Sequence, residues 1–169
     1  AHYLSLRNLR DITKTEGALQ LSEGSELAEH FINELPYTLT TAQQRVINEI
    51  TTDIAKPYPM LRLIQGDVGS GKTVVAAVAC LKAIASGVQI AVMAPTELLA
   101  EQHYQNFSAW FRPLGIEPAW LSSSQSQVER RESLEAIATG NALLIIGTHA
   151  LFQEGVTFND LAMIIVDEQ

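Results

Sequence analysis

Gly66-Asp67-Val68-Gly69-Ser70-Gly71-Lys72-Thr73 is the stretch on which the reading of this chain turns. It has the form GxxxxGKT, preceded by the apolar run Leu61 to Ile64 and followed by Val74-Val75-Ala76-Ala77-Val78-Ala79-Cys80-Leu81. A strand, a glycine loop and a helix in that order form a phosphate cradle. Glycines let the backbone wrap closely and aim successive N–H groups at phosphate oxygens, while the helix N-terminus adds its partial positive charge. Gly66, Asp67, Val68, Gly69, Ser70 and Gly71 would then line the nucleotide. Lys72 would reach the β and γ phosphates, and the Thr73 hydroxyl would take a place on Mg2+.

Outward from this loop, short apolar runs alternate with helical patterns. The runs are Leu61 to Ile64, Gln89 to Ala94, Ile116 to Leu121, Ala142 to Ile146 and Leu161 to Val166. Near-continuous apolar strands are covered on both faces, which predicts an α/β fold with a mostly parallel sheet and helices on either side. The helix from Thr73 to Ser86 is apolar nearly all round and should pack centrally before stopping at Gly87. Thr96 caps the next helix, and Ser126 with Glu129 makes a capping box for one ending near Gly140. Upstream, Thr40 or Thr41 caps a helix whose buried stripe is Val46, Ile47, Ile50 and Ile54, ended by Pro57-Tyr58-Pro59. Residues 1–36 read as a leader with apolar Leu27, Phe31 and Leu35 at helical spacing and no chemistry of their own.

Composition bounds what such a domain can be. The 169 residues are 47% apolar and 18% charged, which suits one globular domain and excludes disorder. No run approaches a membrane span and the N-terminus lacks the apolar core of a signal peptide, so a soluble, cytoplasmic protein without membrane contact is expected. Eleven Lys and Arg against nineteen Asp and Glu leave a net charge of −8, so any grip on nucleic acid must be local. The single cysteine, Cys80, reads as core packing, and His2, His30, His103 and His149 are too scattered to suggest a metal site. A start without Met and a stop directly after an apolar run suggest a fragment.

A phosphate cradle needs a carboxylate at the end of a neighbouring strand, and Met163-Ile164-Ile165-Val166-Asp167-Glu168 supplies one. Asp167 would serve the metal, through water, and Glu168 is placed to polarise an attacking water, so hydrolysis is the implied reaction. Two further strand-to-helix junctions, Ala94-Pro95-Thr96-Glu97-Leu98-Leu99 and Gly147-Thr148-His149-Ala150-Leu151, would point backbone N–H groups at solvent where a phosphate could sit.

Taken in order, LTTAQQ, GDVGSGKT, APTELLAEQH, GTHALFQ and IIVDEQ resemble the motifs of superfamily 2 helicases, most nearly the bacterial branch-migration helicases. The resemblance runs from about Tyr37 to Gln169. It implies a RecA-like nucleotide-binding lobe over 37–169, cut within its second acidic motif, after a leader over 1–36. It also implies that Gln43 reads the adenine edge of ATP, that Tyr37 lies against the base, and that Thr96 and Thr148 touch the backbone of a DNA strand. The activity so implied is ATP-dependent remodelling of forks and Holliday junctions in DNA recombination and repair.

Departures limit that expectation. Ser122-Ser123-Ser124-Gln125-Ser126 carries no charge where the family commonly has a lysine-bearing turn. The second RecA-like lobe with its arginine finger and the N-terminal wedge domain lie outside this chain. These residues should bind nucleotide without unwinding DNA. Two other readings remain open at this point: the matching lobe of a transcription-repair coupling translocase, and a nucleotide-dependent switch that does no work.

Overall fold

The computed structural model describes residues 26–56, 62–67 and 70–167. Helix α1 spans Glu26–Glu34, α2 Thr41–Ile54 and α3 Lys72–Ile84. Strand β1 (Gln89–Met93), α4 (Glu97–Phe111), β2 (Ala119–Leu121), α5 (Gln127–Thr139), β3 (Leu144–Gly147) and β4 (Leu161–Val166) follow, with short 3-10 turns at Arg112–Leu114 and His149–Phe152. The strands lie in the order β2-β3-β1-β4 and every pairing is parallel.

Local chemistry sets most helix starts. Thr40 and Gln43 form a reciprocal capping box on α2, and Ser126 and Glu129 form another on α5. Thr96 caps α4 by accepting from Leu99 N. Helix α3 differs, because it begins at Gly71 in the left-handed region with no side-chain cap, which leaves its first N–H groups for something else.

The sheet alternates as a two-sided sheet must. Ile90 and Val92 of β1 and Leu144 and Ile146 of β3 join one buried cluster with α1, α2, α3, Phe107 and Phe111. Ala91 and Ile145 face the other way, onto Leu121, Ile137 and Leu151. Phe31 of α1 stacks edge-on against Trp110 and Phe111 of α4, so the segment before Pro36 contributes to this core. Cys80 is fully buried, as expected of core packing, and its burial pushes the thiol pKa up.

Three expectations require correction. Of the strand expected over Leu61 to Ile64, residue 61 lies outside the described residues, and 62–64 pair with no strand. Arg62 instead turns to α2, donating to Asp53 Oδ2 (2.8 Å) and Glu49 Oε2 (2.7 Å), while Leu63 is 80% exposed. A three-residue apolar run interrupted by a charge cannot hold a sheet position by its pattern alone. The strand expected from Ile116 begins only at Ala119, because Gly115 and Ile116 close the end of α4 through bonds to Arg112 O and Phe111 O. Strand β4 is apolar throughout, yet it lies at the sheet edge with Val166 46% exposed, so it lacks cover on both faces among the described residues. No helix among the described residues is long and apolar enough to cross a membrane.

Candidate nucleotide site and sheet edge

The glycine loop is organised around its own lysine. Lys72 Nζ donates to Gly66 O and, at 3.1 Å, to Asp67 O, while Ser70 N donates to Asp67 O at 3.0 Å. An ammonium has three donors, and contacts among the described residues use two of them. Gly71 has φ 78°, a conformation that favours glycine, and a Cβ there would displace the amide end of Gln43. Val68 and Gly69 lie outside the described residues, and Thr73 occupies the first turn of α3.

Gln43 is brought to this loop. Its Oε1 accepts from Thr40 N (2.8 Å) and its Nε2 donates to Ser70 O (3.2 Å). Among the described residues one N–H and one lone pair of the amide are left over. Tyr37 is 49% exposed. An open cleft of about 480 Å3 runs along α2 between Gln44, Asn48 and Arg62, and none of the loop residues lines it.

The C-terminal edge of the sheet gathers the remaining candidates. Ala94 N donates to Gly147 O (3.0 Å), and Asp167 N donates to Met93 O (2.8 Å), so the ends of β3, β1 and β4 are tied together. Thr96 is exposed at the start of α4. Thr148 is only 4% exposed and accepts from Ala150 N at 3.4 Å, whereas His149 is exposed. Gly147 admits no side chain, because a Cβ would lie 2.0 Å from Leu121 O of the paired strand.

Glu97, beside Thr96, accepts from Ser122 Oγ (2.8 Å) and Ser123 Oγ (2.9 Å). Those hydroxyls, Ser122 foremost, hold its carboxyl below the ordinary carboxylate value. The uncharged serine loop therefore anchors a carboxylate next to the α4 N-terminus and brings no cation there.

Asp167 makes a contact that its sequence neighbourhood does not announce. Its Oδ2 lies 2.6 Å from Nε2 of His103 on α4. The two residues are 64 apart in sequence, and no spacing rule joins them. Asp167 and Lys72 share no hydrogen bond or ion pair. Glu168 lies outside the described residues. Among the described residues no cluster of three or more His, Cys, Asp or Glu could hold a metal alone.

Comparison with known proteins agrees with the motif order. The family model for DEAD/DEAH box helicases matches residues 40–169. Over all 169 residues the chain is 52% identical to the ATP-dependent DNA helicase RecG of Haemophilus influenzae and 54% identical to that of Escherichia coli K12. It covers 24% of each, so it spans about a quarter of the length of these relatives. A solved structure of RecG bound to a three-way DNA junction superposes with a TM-score of 0.87 at 41% identity, covering 98% of this chain and 23% of that one. A hypothetical ATP-dependent RNA helicase from Sulfolobus tokodaii shares the fold at 21% identity, with a TM-score of 0.63 over 86% of this chain and 41% of that one. The likeness to branch-migration helicases and the parallel α/β fold are both confirmed by these matches.

Proposed function

Because the chain belongs to the DEAD/DEAH box helicase family, we propose that it is the ATP-binding RecA-like lobe of a cytoplasmic, RecG-type DNA helicase that remodels branched DNA in recombination and repair. The observation that carries this reading is the loop around Lys72. Its carbonyls hold the ammonium centrally, Gly71 takes the left-handed conformation that favours glycine, and the N-terminus of α3 has no side-chain cap. These residues fit a Mg2+-bound triphosphate.

In this reading the loop and the first N–H groups of α3 would hold phosphate oxygens, and Lys72 would reach the β and γ phosphates. The Thr73 hydroxyl and Asp167, the latter through water, would hold Mg2+, which would supply neutralisation of charge on the phosphate oxygens. Glu168 would orient the attacking water. Gln43 keeps one donor and one acceptor for the edge of adenine, and exposed Tyr37 covers the ring. Thr96 meets a DNA phosphate directly. Thr148, being buried, does so only through its hydroxyl hydrogen. The second lobe and the wedge domain complete catalysis and fork engagement.

Titration of a fluorescent ATP analogue with Mg2+ into this chain and its Lys72→Ala variant tests the proposal, with circular dichroism on both. Saturable binding that the variant loses by about 10- to 100-fold is expected, on the order of one charge-assisted hydrogen bond. Equal binding by a folded variant would remove Lys72 from the site.

A further inference from the structure

His103 lies within α4 with its ring edge turned to the end of β4. Its side chain is 15% exposed, and Asp167's is 25% exposed. A carboxylate only accepts, so Nε2 carries the hydrogen of the 2.6 Å bond to Oδ2. Phe107, one turn further on, stands with its ring centroid 6.3 Å from the imidazole and limits where the ring can go.

The other nitrogen is the telling one. His103 Nδ1 is buried and has no hydrogen-bond partner among the described residues. A buried polar atom left unpaired is a cost that an apolar side chain would avoid, so packing alone does not account for a histidine here. What the histidine supplies is the bond to Asp167. The backbone of Asp167 is already held by Met93 O, which leaves rotation of its side chain as the freedom that His103 removes. Among the described residues nothing hydrogen-bonds Oδ1.

We propose that His103 is a positioning residue that holds Asp167 by Oδ2 and keeps Oδ1 for the metal's water. The inference rests on the reading of Asp167 as the metal-side carboxylate. It links α4, which carries Thr96 at its start, to the nucleotide half of the site. A displacement of α4 on a DNA strand would thereby act on the carboxylate through one side chain.

The test is Mn2+ binding in the presence of ADP, followed by electron paramagnetic resonance, in the full natural protein containing this chain. His103→Leu should weaken Mn2+ about 10-fold or more, the usual loss when the partner of a ligating group is removed. ADP affinity without metal should stay at the wild-type value. His103→Gln, whose amide N–H reaches about as far as Nε2, should recover most of the Mn2+ affinity, and the shorter His103→Asn should not. Should the leucine variant fail to fold, the Gln and Asn pair carries the same comparison. Wild-type Mn2+ affinity in His103→Leu, or equal affinities in Gln and Asn, would overturn the proposal. Asp167→Asn separates the two levels: unchanged Mn2+ affinity there would overturn the metal role of Asp167 itself and the proposal with it.

Discussion

The glycine loop and the start of β1 solve the problem of polar groups in opposite ways. Around the loop, polar groups are only partly buried and, among the described residues, partly unspent: the α3 N-terminus has no side-chain cap, and Lys72 and Gln43 each keep a donor. At the start of β1, Gln89 is fully buried and fully spent. Its Nε2 donates to Ile137 O and Ala142 O (2.8 Å each), and its Oε1 accepts from Asn159 N (2.7 Å) and Asp160 N (2.9 Å). One amide thus joins β1, the end of α5, the turn into β3 and the turn into β4. Groups kept free suit a ligand, and groups fully paired suit a scaffold.

The contrast breaks most visibly at Gln89. Removing the amide in Gln89→Ala takes away the bond that Ala142 O, Asn159 N and Asp160 N make to it, while Ile137 O keeps Gly140 N. At about 1 kcal/mol or more for each of the three, the loss should reach about 3 kcal/mol. Urea denaturation reads this, and a loss under about 1 kcal/mol would show that water replaces the amide.

Gly147→Ala comes next, since the new methyl would be driven against Leu121 O of the neighbouring strand. Overpacking of this kind typically costs about 1–3 kcal/mol. Because the obstacle is backbone, a thermal midpoint equal to that of the wild type would mean that β2 moves away freely.

On the other side of the comparison, Lys72→Ala should change stability by less than about 0.5 kcal/mol while weakening nucleotide binding. A large loss of stability from this partly buried loop position would erase the distinction between scaffold and site.

The smallest effect belongs to Glu97. Its carboxyl is held below the ordinary value by Ser122 and Ser123, so it favours the folded state above the ordinary carboxylate range and loses that contribution as pH falls through the lowered value. Glu97→Gln should make the acid limb of the stability–pH curve slightly shallower, by lowering stability slightly at neutral pH and leaving the acid end nearly untouched. An unchanged acid limb would mean that the serine loop does not hold the carboxylate in solution.

Much of this was legible because it is local. A capping box spans four residues, so Thr40 with Gln43 and Ser126 with Glu129 announce their helices without help from the rest of the chain. The glycine loop is likewise written in eight consecutive residues, and β1, β3 and β4 follow apolar runs that have no other buried use. The run before the loop misled for the same reason. Leu61 to Ile64 has a strand's apolar content, but a strand exists only beside another strand, and Arg62 has its partners on α2.

The residues of this chain by themselves determined a phosphate cradle, helix boundaries set by adjacent side chains, and a parallel α/β layering, because each depends on groups a few residues apart or on simple periodicity. Only the tertiary structure decided that Thr148 is buried while Thr96 is open, that β4 lies at the edge of the sheet among the described residues, that Gln89 ties four segments together, and that His103 holds Asp167. Each of these joins positions brought close by the folded sheet, and hydrogen bonds of a few ångströms between distant residues leave no trace in sequence spacing.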